Sequence, residues 1–150
     1  MENLFDKKIS EQVIDRIEKL KLDSSAVWGK MDVAQMLAHC CVTYEMVYDK
    51  TPPKPNKFQR LILSLLLKNI VVGEKPYKIN MRTSPEFIIT EVKDFDKEKS
   101  KLIKYINKTQ LLGKEYFENK ESPSFGALSS TEWNNLFSKH LDHHLHQFSV

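Results

Sequence analysis

Apolar and polar positions alternate along most of this chain with the period of an α-helix. From about Asp6 to Leu22 the apolar residues Ile9, Val13, Ile14, Ile17 and Leu20 fall on one stripe, with DRIEKLK as a solvated polar face. The break Asp23-Ser24-Ser25 leads to Trp28-Gly29, a turn in which Trp28 is expected to pack over the end of the helices. In KMDVAQMLAHCCVTYEMV, Asp32 and Gln35 form a capping box and Met31 can staple onto Met36. The helix they start places Gln35, Met36, His39, Val42, Thr43 and Met46 on one face. Thr51 to Asn56 reads as a loop because of Pro52, Pro53 and Pro55.

The second half is more varied. Phe58 to Val72 is the most hydrophobic stretch, broken only by a narrow polar wedge of Arg60, Ser64 and Lys68 at every fourth residue. It is too short and too interrupted to span a bilayer. A buried helix, a dimer surface or an interfacial membrane helix would each fit, and the narrow wedge favours packing or dimerisation. Gly73 to Val92 reads as extended loop around Pro76 and Pro85, with a short strand from Phe87 to Val92. Asp94 caps a helix from about Phe95 to Leu112 that Gly113 ends, with DKEKSKLIK as a solvated face. Lys114 to Phe125 is expected to be loop. Ser129 and Glu132 make another capping box, so a last helix runs from near Ser130 towards Phe148.

That last helix carries the chemistry. Trp133, Leu136, Phe137, His140, His144 and Gln147 share one stripe, with His143 at its edge and His146 pointing away. His140 and His144 are four residues apart, so both imidazoles can reach one point, as metal ligation from a single helix requires. A third ligand must come from elsewhere, and the one histidine outside the segment is His39, on an inward face of the second helix. Against this stands a plainer reading, a metal-free bundle. Core histidines can bond to backbone carbonyls, and histidines near a helix C-terminus are favoured by its dipole. Burying three imidazoles without a shared partner, however, leaves several nitrogens to satisfy.

Trp28-Gly29-Lys30-Met31, Gln35-Met36-Leu37-Ala38-His39, Pro123-Ser124-Phe125-Gly126 and the tail from His140 to Phe148 together resemble the DinB/YfiT-like superfamily, in particular a bacterial subfamily with WGKM, QMLAH and HLDHHLxQF signatures. The resemblance covers nearly the whole chain and is weakest from Asp49 to Asn80. It implies an all-α, up-down four-helix bundle, with the hydrophobic segment as an additional short helix between helices 2 and 3. It also implies a divalent metal on one histidine of the second helix and an HxxxH pair of the last, which map to His39, His140 and His144. Some relatives are thiol S-transferases or isomerases. In them the Gly73–Val92 crossing lies near the mouth of the metal cavity, so Asn80, Arg82 and Thr83 are expected to shape it.

At 150 residues the chain is expected to be a single domain, 1–150. A composition 41% hydrophobic and 29% charged is that of a globular protein, and the net charge of +3 comes with no basic, aromatic-interleaved stripe, so nucleic acid is not an expected partner. The adjacent Cys40 and Cys41 suit reduced thiols in the cytoplasm, and Cys40 is expected to be a small core residue rather than a nucleophile. MENLFDKKIS has no apolar core of a secretory signal. Three imidazoles leave a divalent ion with an open position and suit zinc, nickel, iron or copper. Glu45 and Asp142 point away, whereas Gln35, Thr43 and Gln147 are candidates to orient the ligands. The expected activity is thiol S-transfer or hydrolysis on a small-molecule thiol or electrophile. The alternative is a metal-binding module without turnover, with Phe58 to Val72 as a homodimer surface.

Overall fold

The structure is a computed structural model that describes residues 1–49 and 55–150. Most of the expected loop from Thr51 to Asn56 therefore lies outside the described residues. Five α-helices account for most of the fold: α1 (Lys7–Glu18), α2 (Val33–Tyr48), α3 (Lys57–Val72), α4 (Phe95–Phe117) and α5 (Ser130–Gln147). Their starts are set by side chains that take up otherwise unpaired N–H groups. Asp6 accepts from Ile9 and Asp94 from Lys97, and reciprocal capping boxes close Asp32 with Gln35, Asn56 with Gln59 and Ser129 with Glu132.

Helices α2, α4 and α5 pack on one another, α1 lies against α4, and α3 lies against α5. The core at their meeting is aromatic. Phe137 stacks on Tyr44 at 4.9 Å and on Trp133 at 5.6 Å, and Phe117 meets it edge-on at 5.5 Å. Helix α2 is buried on more than its histidine side: Leu37, Cys41 and Tyr44 face the core while His39 and Thr43 are also withdrawn from water. It is a central helix, buried beyond the one face that holds His39 and Thr43.

Three expectations are corrected. The chain is not purely helical, because β1 (Lys120–Ser122) pairs antiparallel with β2 (Gly126–Leu128) inside what reads as loop. The three residues between them close a hairpin for which Gly126 supplies a φ of 83°. The hairpin is held down by Trp133, whose Nε1 donates to the Lys120 carbonyl at 3.2 Å. Gly113 does interrupt α4, with φ 68° and ψ 174°, but the chain resumes for a turn so that Phe117 is buried. The expected strand at Phe87–Val92 is absent. A lone strand would leave its backbone polar groups unpaired, and a 3₁₀ turn at Pro85–Phe87 stands at its start instead.

The third correction concerns α3, which is not a buried helix. Its polar wedge faces inward: Arg60 pairs with Glu121 of β1, and Lys68 lies 2.8 Å from Glu132 in the α5 capping box. Asn135 donates to the Val72 carbonyl at 3.0 Å, and Lys139 donates to the carbonyls of Ile70 and Gly73. These bonds from α5 satisfy the last carbonyls of α3. With its polar side bound, α3 turns its leucines outward, so that Leu65 is 74% and Leu66 67% exposed.

Phe137→Ala removes the ring on which three other aromatics converge. It is expected to cost about 3–5 kcal/mol of stability in urea unfolding monitored by circular dichroism.

Candidate metal centre

His39 comes from the middle of α2, and His140 and His144 from successive turns of α5. The three are 4%, 8% and 7% exposed, and one nitrogen from each lies within 4.8 Å of the others. Their ring centroids are 4.5 to 4.9 Å apart. No other metal-ligating cluster of three or more side chains occurs among the described residues.

The outer nitrogen of each ring has its own protein partner. His39 Nδ1–H donates to the Phe87 carbonyl at 2.8 Å. A carbonyl can only accept, so His39 Nε2 carries a free lone pair. His144 is oriented through Gln147. Gln147 Nε2 donates to the Trp28 carbonyl at 2.6 Å, which turns its Oε1 to accept His144 Nδ1–H at 2.8 Å. His144 Nε2 is thereby also bare. His140 Nδ1 is 3.0 Å from the Thr43 hydroxyl, and its Nε2 is 2.9 Å from His39 Nε2. Because His39 Nε2 has no proton, His140 Nε2–H donates to it, and the Thr43 hydroxyl donates to His140 Nδ1.

Burial keeps all three rings neutral. It holds His39 below its usual range despite the Phe87 carbonyl, and pushes His144 down to about 3 with the His39 ring adding to the effect. His140 is driven well below by burial and then by its two neighbours. Three neutral nitrogen donors, two with their lone pairs already facing inward, fit a divalent ion of the borderline class that takes imidazole.

The surroundings differ from expectation. Asn80, Arg82 and Thr83 are exposed. Tyr77 and Phe87 stand at the site instead. The Phe87 ring is 5.5 Å from His39 and 5.9 Å from His140, and the Tyr77 ring is 6.5 Å from His140 and 5.8 Å from His143. The available signal was that Tyr77 and Phe87 are the two aromatics of this crossing. Gln35 serves its helix cap rather than a histidine, whereas Thr43 and Gln147 do contact the His140 and His144 rings. Glu45 pairs with Lys101 and Asp142 with Arg16, away from the cluster. His143 is half-buried at the rim beside Trp28, and His146 is exposed. Cys40 is a core residue with its Sγ 3.8 Å from Met36 Sδ, and burial pushes its thiol well above the usual range.

Val27 to Gly29 straps the end of α5. Val27 N–H donates to the Gln147 backbone carbonyl at 2.8 Å, and a Cβ on Gly29 would stand 2.6 Å from Gln147 Nε2. With φ at 83°, Gly29 is also in a conformation that side chains strain. Gly29→Ala is therefore expected to displace Gln147, release His144, and weaken metal affinity about 10- to 100-fold in a competition titration with a chelating dye, while helix content persists.

Acid should destabilise the metal-free fold. An unfolded histidine takes up a proton near pH 6.5 and folded His144 only near 3, so across that window the unfolded chain binds more protons. Each such group removes up to about 1.4 kcal/mol per pH unit as pH falls. Urea midpoints of chelator-treated protein are expected to drop steeply below about pH 6.5, and less steeply for His144→Leu.

A protein family described as "Protein of unknown function (DUF1569)" matches residues 5–150. No curated protein and no solved structure matches the chain.

Proposed function

We propose that this chain, which belongs to the DUF1569 family of unknown function, is a single-domain metal-dependent enzyme built on a DinB-like four-helix bundle, with His39, His140 and His144 as the ligands of a divalent ion. The observation that carries this reading is the set of outer-nitrogen bonds, which leaves the inner nitrogens of three neutral, buried imidazoles facing one another. As mere core packing it would gather three inward nitrogens around a single shared N–H, that of His140. It is what a ligand set requires.

Among the described residues no carboxylate or thiolate joins the three histidines. Three protein donors without a fourth is the composition of a catalytic rather than a closed structural site. A divalent ion held there supplies acidity to a bound water or thiol, or polarises a carbonyl. The chain's own contribution is to fix the ring orientations and to exclude water. The Phe87 and Tyr77 rings form an apolar edge beside His140, with His143 adjacent to Tyr77. This environment suits a small electrophile or thiol ester with an apolar part. Thiol S-transfer and hydrolysis are the two reactions it supports, the thiol coming from the substrate because Cys40 and Cys41 are packed in the core.

A second reading rests on the burial of the ligands. At 4–8% exposure they resemble a core staple, in which the ion serves stability without turnover.

Elemental mass spectrometry of untagged protein tests the site. Wild type is expected to carry about one equivalent of zinc, nickel, iron or copper, and His140→Ala and His144→Ala to lose it. Thiol consumption with electrophilic acceptors and ester hydrolysis then separate the readings: activity that disappears with the metal supports the enzyme. Loss of stability on chelation with no turnover on either substrate class supports the staple. A wild type that stays metal-free after incubation with all four ions removes both.

A further inference from the structure

We infer that the outward face of α3 is a docking surface for an anionic lipid bilayer, on which the helix lies flat. Phe58, Leu61, Ile62, Leu65, Leu66 and Ile70 are between 40% and 74% exposed. They form the largest run of exposed apolar side chains on any helix among the described residues. Single exposed leucines are ordinary, but a continuous strip over a whole helix marks an interaction site.

The orientation is built in. Arg60 and Lys68, which would otherwise make the polar side of a free amphipathic helix, are committed to Glu121 and Glu132. Asn135 and Lys139 hold the C-terminal carbonyls. The strip therefore faces outward without any rearrangement. The helix is 16 residues long, or roughly 24 Å, and no helix among the described residues is long and apolar enough to cross a membrane. It can lie in an interface but cannot span one.

Charge decides the occupant. From residue 50 to residue 85 the sequence holds eight lysines and arginines and a single acidic residue, Glu74, a net +7, of which +5 remains once Arg60 and Lys68 are set against Glu121 and Glu132. The whole chain carries +3, so the remainder is at −4. Exposed Lys57 opens the helix, and exposed Lys75, Lys78 and Arg82 follow it. A second copy docked through the same face in a two-fold dimer would set this cationic segment against itself, which disfavours the homodimer that the hydrophobic run alone suggests. An apolar strip flanked by cations matches a bilayer that presents acyl chains beneath anionic headgroups.

Vesicle co-sedimentation of the full chain tests this. Wild type is expected to bind vesicles of phosphatidylcholine mixed with phosphatidylglycerol, to bind phosphatidylcholine alone poorly, and to be released by high salt. Lys75→Gln and Lys78→Gln should each weaken binding about fivefold. Leu65→Ser with Leu66→Ser should weaken it by about 100-fold or more, with an unchanged circular dichroism spectrum because both side chains already face water. No binding to the anionic vesicles, or equal binding to both kinds, overturns the proposal. So does a stable dimer in lipid-free buffer, by sedimentation equilibrium, that the double leucine variant dissolves. None of these outcomes depends on the histidine site.

Discussion

Withdrawing three imidazoles from water around one point imposes the strongest demand in this molecule. Each ring has two nitrogens, and the inner one can be left bare only if the outer one has a partner that fixes its proton. The chain meets that demand from three separate places. The Phe87 carbonyl reaches His39 from the crossing before α4, the Thr43 hydroxyl reaches His140 from α2, and the Gln147 amide reaches His144 from α5 itself, held in turn by Trp28. Much of the architecture follows. Helix α2 is central and contributes both a ring and a partner, the crossing brings one backbone carbonyl inward, and residues 27–29 wrap the end of α5.

The two ends of the chain were far more legible than its middle. Capping boxes at Asp32/Gln35 and Ser129/Glu132 are local signals, since the bonding groups lie three residues apart, and they located the starts of α2 and α5 to within a residue. The i, i+4 spacing of His140 and His144 and the lone His39 brought the right side chains together for the same reason: helix geometry converts spacing into direction. What the sequence did not reveal depends on distant contacts. The Phe87 carbonyl is a backbone group, which no residue type advertises. The β1–β2 hairpin is three residues a side and is held by a Trp133 bond to a backbone oxygen.

Of the roles the sequence left open for α3, its contacts exclude the buried helix. On an isolated helix a narrow polar stripe points to solvent and the broad apolar face inward. Here the stripe is drawn in by Glu121 and Glu132, which lie about sixty residues later in the chain, and by buried Lys139, whose ammonium, pushed down to about 8 by burial, also sits 4.6 Å over the Tyr77 ring. Periodicity gives the faces of a helix but not their sense when its partners are charged.

The Thr43 hydroxyl has a consequence of its own. A hydroxyl can donate or accept with equal ease. In the empty cluster it donates to His140, and the proton on the far side of that ring bridges to His39. Turned about, it accepts from His140 and leaves the far nitrogen bare, so the ring exchanges one neutral tautomer for the other and the protein neither gains nor loses a proton. Were a divalent ion to occupy the cluster, that switch would bare the His140 nitrogen without a net release of protons, in contrast to thiolate sites, whose ligands must lose theirs.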